Sequence, residues 1–332
     1  MKIRIAINGF GRIGRNLFRL LLDHPTIEVI AINDIADNRT MSHLLKYDSI
    51  HGVLASDVSF DENSILVDGK SYTFFHEKEI KNLDWKALDI DFVIESTGKY
   101  KTYDEINAHI LAGAKKVILS APAEVENIKT IVLGVNENIL DGNELIISNA
   151  SCTTNNAAPM IKVIKELCGI EQAYITTVHS YTTDQSLHDQ PHKDLRRARG
   201  ASQSIVPTTT GAAKSLTKIF PELEGKIGGC GIRVPVPDGS LTDITFNVKR
   251  EVSIEEINLA FKKASENELK GILAYTEDPI VSVDIIGNRN SCLFDAQLTS
   301  VIDKMVKVVG WYDNEIGYSS RIIDILSVIN KK

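Results

Sequence analysis

Cysteine is scarce in this 332-residue chain: the four present, Cys152, Cys168, Cys230 and Cys292, are widely spaced and form no Cys-x-x-Cys pair. That spacing excludes a disulfide framework and a structural zinc site, and it suits a reducing compartment. An excess of positive charge is also missing. The 37 Lys and Arg stand against 44 Asp and Glu, a net charge of −7, so electrostatics give no reason to expect nucleic acid as a required partner. No apolar run reaches membrane-spanning length, and no membrane partner is expected. The opening residues, MKIRIAINGFGRIG, read as a strand and lack the apolar core and cleavage site of a signal peptide. The default expectation is therefore a cytoplasmic protein.

What is present is the composition of a globular protein, 43% hydrophobic and 24% charged, in a chain long enough for two domains. In the first half, strand-like runs alternate with helical ones. IRIAI, EVIAIND, DFVIEST, KKVILSAP, TIVLGV and ELIIS read as strands. RNLFRLLLDH has Leu17, Leu20 and Leu21 at helical spacing, and TYDEINAHILAGA is a helix with Thr102 and Glu105 spaced as a capping box. This alternation predicts a doubly wound parallel sheet of the Rossmann type. Later, NNAAPMIKVIKELCG and SIEEINLAFKKASENE read as helices, the second with a capping box at Ser253 and Glu256. AYITTVHS, CGIRVPV, LTDITFNVKR and MVKVVGWYDN read as strands. Fewer helices per strand predict an α+β domain with a mixed or antiparallel sheet. The expected domains are 1–151 and 152–315, with a final helix, 316–332, packing on something.

Three glycines, Gly9, Gly11 and Gly14, follow the first strand and open the first helix in the pattern G-x-G-x-x-G. Such glycines allow a tight turn and let backbone approach a pyrophosphate at a helix N-terminus. Asp34 ends the second strand at the distance expected of an acid that grips ribose hydroxyls, and its charge disfavours a 2′-phosphate. Together these predict NAD as cofactor; taken singly, a plain strand-helix turn and a surface aspartate are the alternatives.

In SNASCTTNNAAP, Cys152 sits among small polar residues where a strand gives way to a helix. Unpaired N–H groups and the helix dipole favour a thiolate there, with a lowered pKa. An inert small residue at a domain joint is the alternative. His179, at the end of an apolar strand, is the candidate base, though sequence spacing alone does not bring it to the sulfur. Thr182, the group Arg196, Arg197 and Arg199, the segment Thr208 to Gly211, and Arg233 in an apolar strand are candidate anion sites. No metal site is expected.

INGFGRIGR, SNASCTTN, HSYT, DLRRAR, PTTTGAAK, RVPVP and GWYDNEIGYS occur in an order and at separations that resemble the phosphorylating glyceraldehyde-3-phosphate dehydrogenase family over essentially the whole chain. The resemblance implies a homotetramer that oxidises glyceraldehyde 3-phosphate with NAD and inorganic phosphate to 1,3-bisphosphoglycerate in glycolysis and gluconeogenesis. It implies Cys152 as nucleophile, His179 as base, and Arg12, Ile13, Asp34, Lys78, Ser120 and Asn314 as NAD contacts. It further implies Ser151, Thr153, Thr210 and Gly211 at the inorganic phosphate, and Thr182 and Arg233 at the substrate's phosphate, with Arg197 between them. Pro191 in the same likeness goes with NAD preference. Three residues depart from the family pattern: Asn156 replaces a second cysteine, Ile316 replaces an aromatic, and Lys78 stands where arginine is usual. Erythrose-4-phosphate dehydrogenase is the nearest alternative. An NADP-linked isoform and a non-catalytic binding protein are more distant ones.

Overall fold

The computed structural model describes residues 2–330. By contacts they divide into two compact units. One holds the described residues up to Ile131, then Asn138–Ala150 and those from Ser319 on; the other holds Val132–Glu137 and Ser151–Tyr318.

The first unit is built on strands β1 (Ile3–Asn8), β2 (Ile27–Asn33), β5 (Val58–Phe60), β6 (Ser64–Val67), β7 (Lys70–Phe75), β8 (Phe92–Glu95), β9 (Lys116–Leu119), β10 (Lys129–Thr130) and β11 (Ile146–Ser148). They form one sheet in the order β10-β11-β9-β8-β1-β2-β7-β6-β5, beside a small hairpin of β3 (Tyr47–Asp48) and β4 (Gly52–Val53). From β10 to β7 the pairs are parallel, and β6 and β5 extend the sheet antiparallel. Helices α1 (Arg12–Leu21), α2 (Asn38–Lys46) and α3 (Tyr103–Leu111) join the strands. The chain runs β1, β2, β7 to one side, and then β8, β9, β11 to the other. Strand order thus reverses between β1 and β8, where open α/β sheets form their ligand crevice.

The second unit carries β12 (Ile170–Ser180), β13 (Val206–Thr208), β14 (Ile227–Val234), β15 (Ser240–Val248), β16 (Leu273–Thr276), β17 (Cys292–Asp295), β18 (Ser300–Ile302) and β19 (Met305–Tyr312). Their order is β13-β14-β12-β15-β19-β17-β16, with β18 beside β19. β14 is parallel to β12 whereas β15 is antiparallel to it, so the sheet is mixed. Helices α4 (Cys152–Cys168), α5 (Ala212–Ile219) and α6 (Ile254–Glu266) belong to this unit, and α7 (Ile316–Ile329) closes the chain. The expected fold class holds in both halves.

Several details depart from the sequence reading. TIVLGV is in a strand only at its first residue, Thr130, the end of β10; beyond it Gly134 takes a φ of +79° and Val132 N donates to Asn136 Oδ1 at 2.8 Å, which closes a turn. The final helix was expected to reach residue 332, and its last two positions lie outside the described residues. Both capping boxes form: Thr102 N donates to Glu105 Oε2 (3.0 Å), and Ser253 N donates to Glu256 Oε2 (2.9 Å).

Candidate active site

The turn into α4 is set before the helix begins. Ala150, fully buried, holds a φ of +54°, a left-handed conformation that strains a residue with a Cβ. Ser151 follows as N-cap, its Oγ accepting from Thr154 N at 3.1 Å, which leaves Cys152 as the first helical residue. Across from it, the parallel register of β12 and β14 pairs His179 with Arg233. Cys152 Sγ lies 3.4 Å from His179 Nε2, so the structure brings together the thiol and the imidazole that sequence spacing could not connect.

Charge in this site is governed by burial. Loss of water pushes the Cys152 thiol up, against the opposing pull of the Arg233 charge and of hydrogen bonds from Thr153. The Thr153 N–H that pulls the thiol down belongs to the first turn of α4, the helix start from which a lowered pKa is expected. His179, only 6% exposed, is pushed down to about 3, first by burial and then by Arg233. The resting pair is therefore a thiol facing a neutral imidazole.

Which ring nitrogen carries the proton depends on Arg233. Its Nη1 lies 2.7 Å from His179 Nδ1 and 2.8 Å from Ser180 O, and Nδ1 is itself 2.8 Å from Ser180 O. A guanidinium can only donate. While Arg233 donates to Nδ1, the ring proton sits on Nε2 and points at the sulfur. With the proton on Nδ1, that nitrogen donates to Ser180 O and Nε2 offers a lone pair to the thiol. Only the second arrangement can take a proton from Cys152.

Around the pair, Thr153 Oγ1 and Tyr312 OH are 3.0 Å apart, and the Tyr312 ring meets His179 edge-on at 5.9 Å. Asn314 Oδ1 accepts from Ser180 Oγ (2.9 Å) and Ser240 Oγ (2.7 Å), which fixes the carboxamide and leaves Nδ2 as its donor half. Asn156, one turn beyond Cys152, donates through Nδ2 to Ser291 O (3.3 Å) and Trp311 O (3.2 Å), tying α4 to β19. Tyr312, Ser180, Ser240 and Ala150 escaped the sequence reading because their part lies in distant pairings and a single backbone angle. Ile316 is a buried residue opening α7.

The anion candidates are partly gathered. Arg197 donates from Nε to Thr208 Oγ1 (2.9 Å) and from Nη2 to Thr209 O (3.2 Å), joining DLRRAR to PTTTG, and it pairs with Asp184 at 2.5 Å. Its charge reaches far enough to act on both His179 and Arg233. Thr210 Oγ1 accepts from Ala212 N (3.2 Å) beside Gly211, the N-cap of α5, whose side offers no capping bond. Thr182 is half-buried just past β12. Arg199 turns away to Asp189 at 3.0 Å, and Arg196 is exposed.

In the first unit a cavity of about 360 Å³ is lined by Asn8, Gly9, Gly11, Asn33, Asp34 and Lys78 among others. Gly9 holds a φ of +97°, and a Cβ there would sit 2.6 Å from Thr97 N; at Gly14 one would sit 2.2 Å from Gly9 O. At Gly11 a Cβ would meet nothing within 4 Å, so the space before the uncapped N-terminus of α1 is open to a ligand. The residues fit a dinucleotide. Asp34 accepts from Phe10 N (2.7 Å) and Ala36 N (3.0 Å), which pins the carboxylate at the cavity edge. Arg12, with Ile13 at the start of α1, pairs with Asp48 at 2.6 Å and draws that buried carboxyl down to about 2. Ser120, past the end of β9, donates its N–H to Glu95 O at 2.9 Å and is not among the cavity's lining residues.

Comparison with known proteins agrees with this layout. Residues 3–103 match the family model described as glyceraldehyde 3-phosphate dehydrogenase, NAD binding domain, and residues 151–314 match that of the C-terminal domain. The chain is 53% identical to glyceraldehyde-3-phosphate dehydrogenase of Geobacillus stearothermophilus, over 100% of this chain and 99% of the relative. It is 54% identical to glyceraldehyde-3-phosphate dehydrogenase 2 of Streptomyces avermitilis, over 98% of each. It is 50% identical to glyceraldehyde-3-phosphate dehydrogenase 1 of Bacillus subtilis, over 100% and 99%.

Proposed function

The chain belongs to the glyceraldehyde-3-phosphate dehydrogenase family and is an NAD-dependent oxidoreductase, and from that premise we propose that it converts glyceraldehyde 3-phosphate to 1,3-bisphosphoglycerate with Cys152 as nucleophile. The observation that carries the proposal is the 3.4 Å approach of Cys152 Sγ to His179 Nε2.

Arg233 and Thr182 hold the phosphate of the aldehyde. A dianion on Arg233 draws the guanidinium from His179 and offsets the positive charge that depresses the imidazole. Nδ1 then keeps the proton and donates to Ser180 O, while Nε2 accepts the proton of the Cys152 thiol. The thiolate attacks C1; the S–C bond forms as the C=O π bond opens, and the aldehyde oxygen takes the proton that Nε2 had accepted, giving a thiohemiacetal and a neutral imidazole. Gly9, Gly11, Arg12, Ile13, Asp34, Lys78, Ser120 and Asn314 would hold NAD, which when bound would supply the acceptor for the hydride that leaves C1. His179 Nε2 takes the hydroxyl proton as the carbonyl of a thioester forms. Ser151, Thr153, Thr210 and Gly211 present hydroxyl and N–H groups to inorganic phosphate, with Arg197 between the two anions. Phosphate oxygen attacks the acyl carbon, the S–C bond breaks, and the thiolate leaves.

Family likeness also supports a homotetramer at work in the cytoplasm, in glycolysis and gluconeogenesis. Among the described residues no helix is long and apolar enough to cross a membrane. NADH formation from glyceraldehyde 3-phosphate and from erythrose 4-phosphate, each with and without phosphate, tests the reading. Phosphate-dependent turnover of the triose is expected; phosphate-independent turnover of the tetrose would overturn it. Arg233→Ala should raise the KM for the triose phosphate about 10- to 100-fold, the worth of a charge-assisted pair, and that for NAD by less than about threefold. Steady-state kinetics with each substrate varied in turn check this, and equal changes in both would contradict the assignment.

A further inference from the structure

The polar interior of the first unit contains a group that the chemistry above does not use. His109 is 0% exposed and Glu95 1%, an imidazole and a carboxyl well away from solvent. Trp85 Nε1 donates to His109 Nδ1 at 3.0 Å. Indole only donates, so the ring proton of His109 lies on Nε2, which donates to Glu95 Oε2 at 3.0 Å. The same oxygen accepts from Asn8 Nδ2 at 2.6 Å. Asn8 Oδ1 accepts from Asn33 Nδ2 at 2.7 Å, and Asn33 Oδ1 accepts from Glu77 N at 2.9 Å. Every donor direction is set by the one before it.

This chain runs along the C-terminal ends of neighbouring strands: Glu95 closes β8, Asn8 closes β1 and Asn33 closes β2. Those ends bound the crevice at which strand order reverses. Asn8, Asn33, Glu77 and Thr97 line the cofactor cavity; Glu95, His109 and Trp85 are not among its lining residues. The other carboxylate oxygen of Glu95 accepts from Thr97 N at 2.9 Å and from the Thr97 hydroxyl. Thr97 N is also the atom against which Gly9 is packed so tightly that a Cβ would lie 2.6 Å away. One buried carboxylate therefore sets both the carboxamide of Asn8 and the wall against which the first glycine turns.

We propose that Glu95 and His109 are positioning residues for NAD: through Asn8, Asn33 and Thr97 they hold the crevice that takes the adenosine side of the dinucleotide. The proposal rests on NAD being the cofactor of the intact enzyme. Glu95→Gln keeps the shape and puts an N–H where only acceptors fit, so a buried donor faces donors. His109→Gln removes the ring that links Trp85 to Glu95.

The test uses the full-length protein, with ADP-ribose and NAD titrated calorimetrically and steady-state rates measured at saturating NAD. Parent binding of both ligands establishes the cofactor; if the parent binds neither, the functional reading fails and not this inference alone. Glu95→Gln is expected to raise both dissociation constants at least about tenfold, by the same factor for the two ligands. Its kcat at saturating NAD should stay within about threefold and its KM for triose phosphate within about twofold. His109→Gln should follow in the same direction by about three- to tenfold, and it decides the matter if Glu95→Gln does not fold. A folded variant whose ADP-ribose affinity lies within twofold of the parent, or whose kcat falls as much as its affinity, would overturn the proposal, because a purely structural network moves melting temperature without that split.

Discussion

Cys152→Ser should lower kcat by at least about ten-thousand-fold while NAD affinity stays within about twofold. The sulfur is already disfavoured as an anion, since burial pushes its pKa up and only Arg233 and the Thr153 hydrogen bonds pull against that. A serine hydroxyl is far less acidic than a thiol and a weaker nucleophile before the same imidazole. It would also replace the thioester by an oxygen ester, a poorer acyl donor to phosphate. The dinucleotide cavity is lined by residues of the other unit, so cofactor titration is the control. Rates near those of the parent would remove Cys152 from the chemistry.

His179→Asn should cost about a hundred- to ten-thousand-fold in kcat, the range of a lost general base. Asparagine can still donate to Ser180 O, which lies 2.8 Å from Nδ1, yet it has no lone pair of imidazole basicity to set 3.4 Å from the sulfur. Alkylation of Cys152 by iodoacetamide should slow with it; unchanged alkylation would show that the two side chains do not share a proton. The variant also carries a pH signature. His179 is held neutral, with its pKa depressed from 6.5 to about 3. Protonation therefore opposes the folded state, and the stability present above pH 6.5 falls as pH drops toward 3, where the unfolded chain binds the extra proton. Urea midpoints measured across that window should decline less steeply in His179→Asn than in the parent.

Legibility of the fold followed the strength of local patterns. β1, β2, α1 and α3 were plain because apolar spacing, caps and glycines agreed along a single stretch. α2 was missed because it buries little beyond Met41 and Leu45 as apolar residues. Asp37, which caps it by accepting from Thr40 N at 2.9 Å, was the available signal. The β6–β7 hairpin was missed too, although its turn, Asp68-Gly69, has a positive φ at both residues and the matching sequence. In the site, Cys152, His179 and Arg233 could be picked out one by one. That Arg233 stands beside His179 is a matter of β12–β14 register, and that burial pushes the Cys152 thiol up is a matter of packing; neither is written in any local stretch. The same is true of Glu95 and His109. They are 14 residues apart, Glu95 at the end of β8 and His109 on α3, and meet only in the folded chain.

The central claim, that the Cys152 sulfur carries the acyl group from aldehyde to phosphate, is tested most directly by rapid mixing with glyceraldehyde 3-phosphate and NAD while phosphate is withheld. The account predicts a burst of NADH stoichiometric with enzyme, an acyl adduct found on Cys152 by mass spectrometry, and sustained turnover only when phosphate is added. Continuous NADH formation without phosphate, or a burst that leaves Cys152 unmodified, would contradict it.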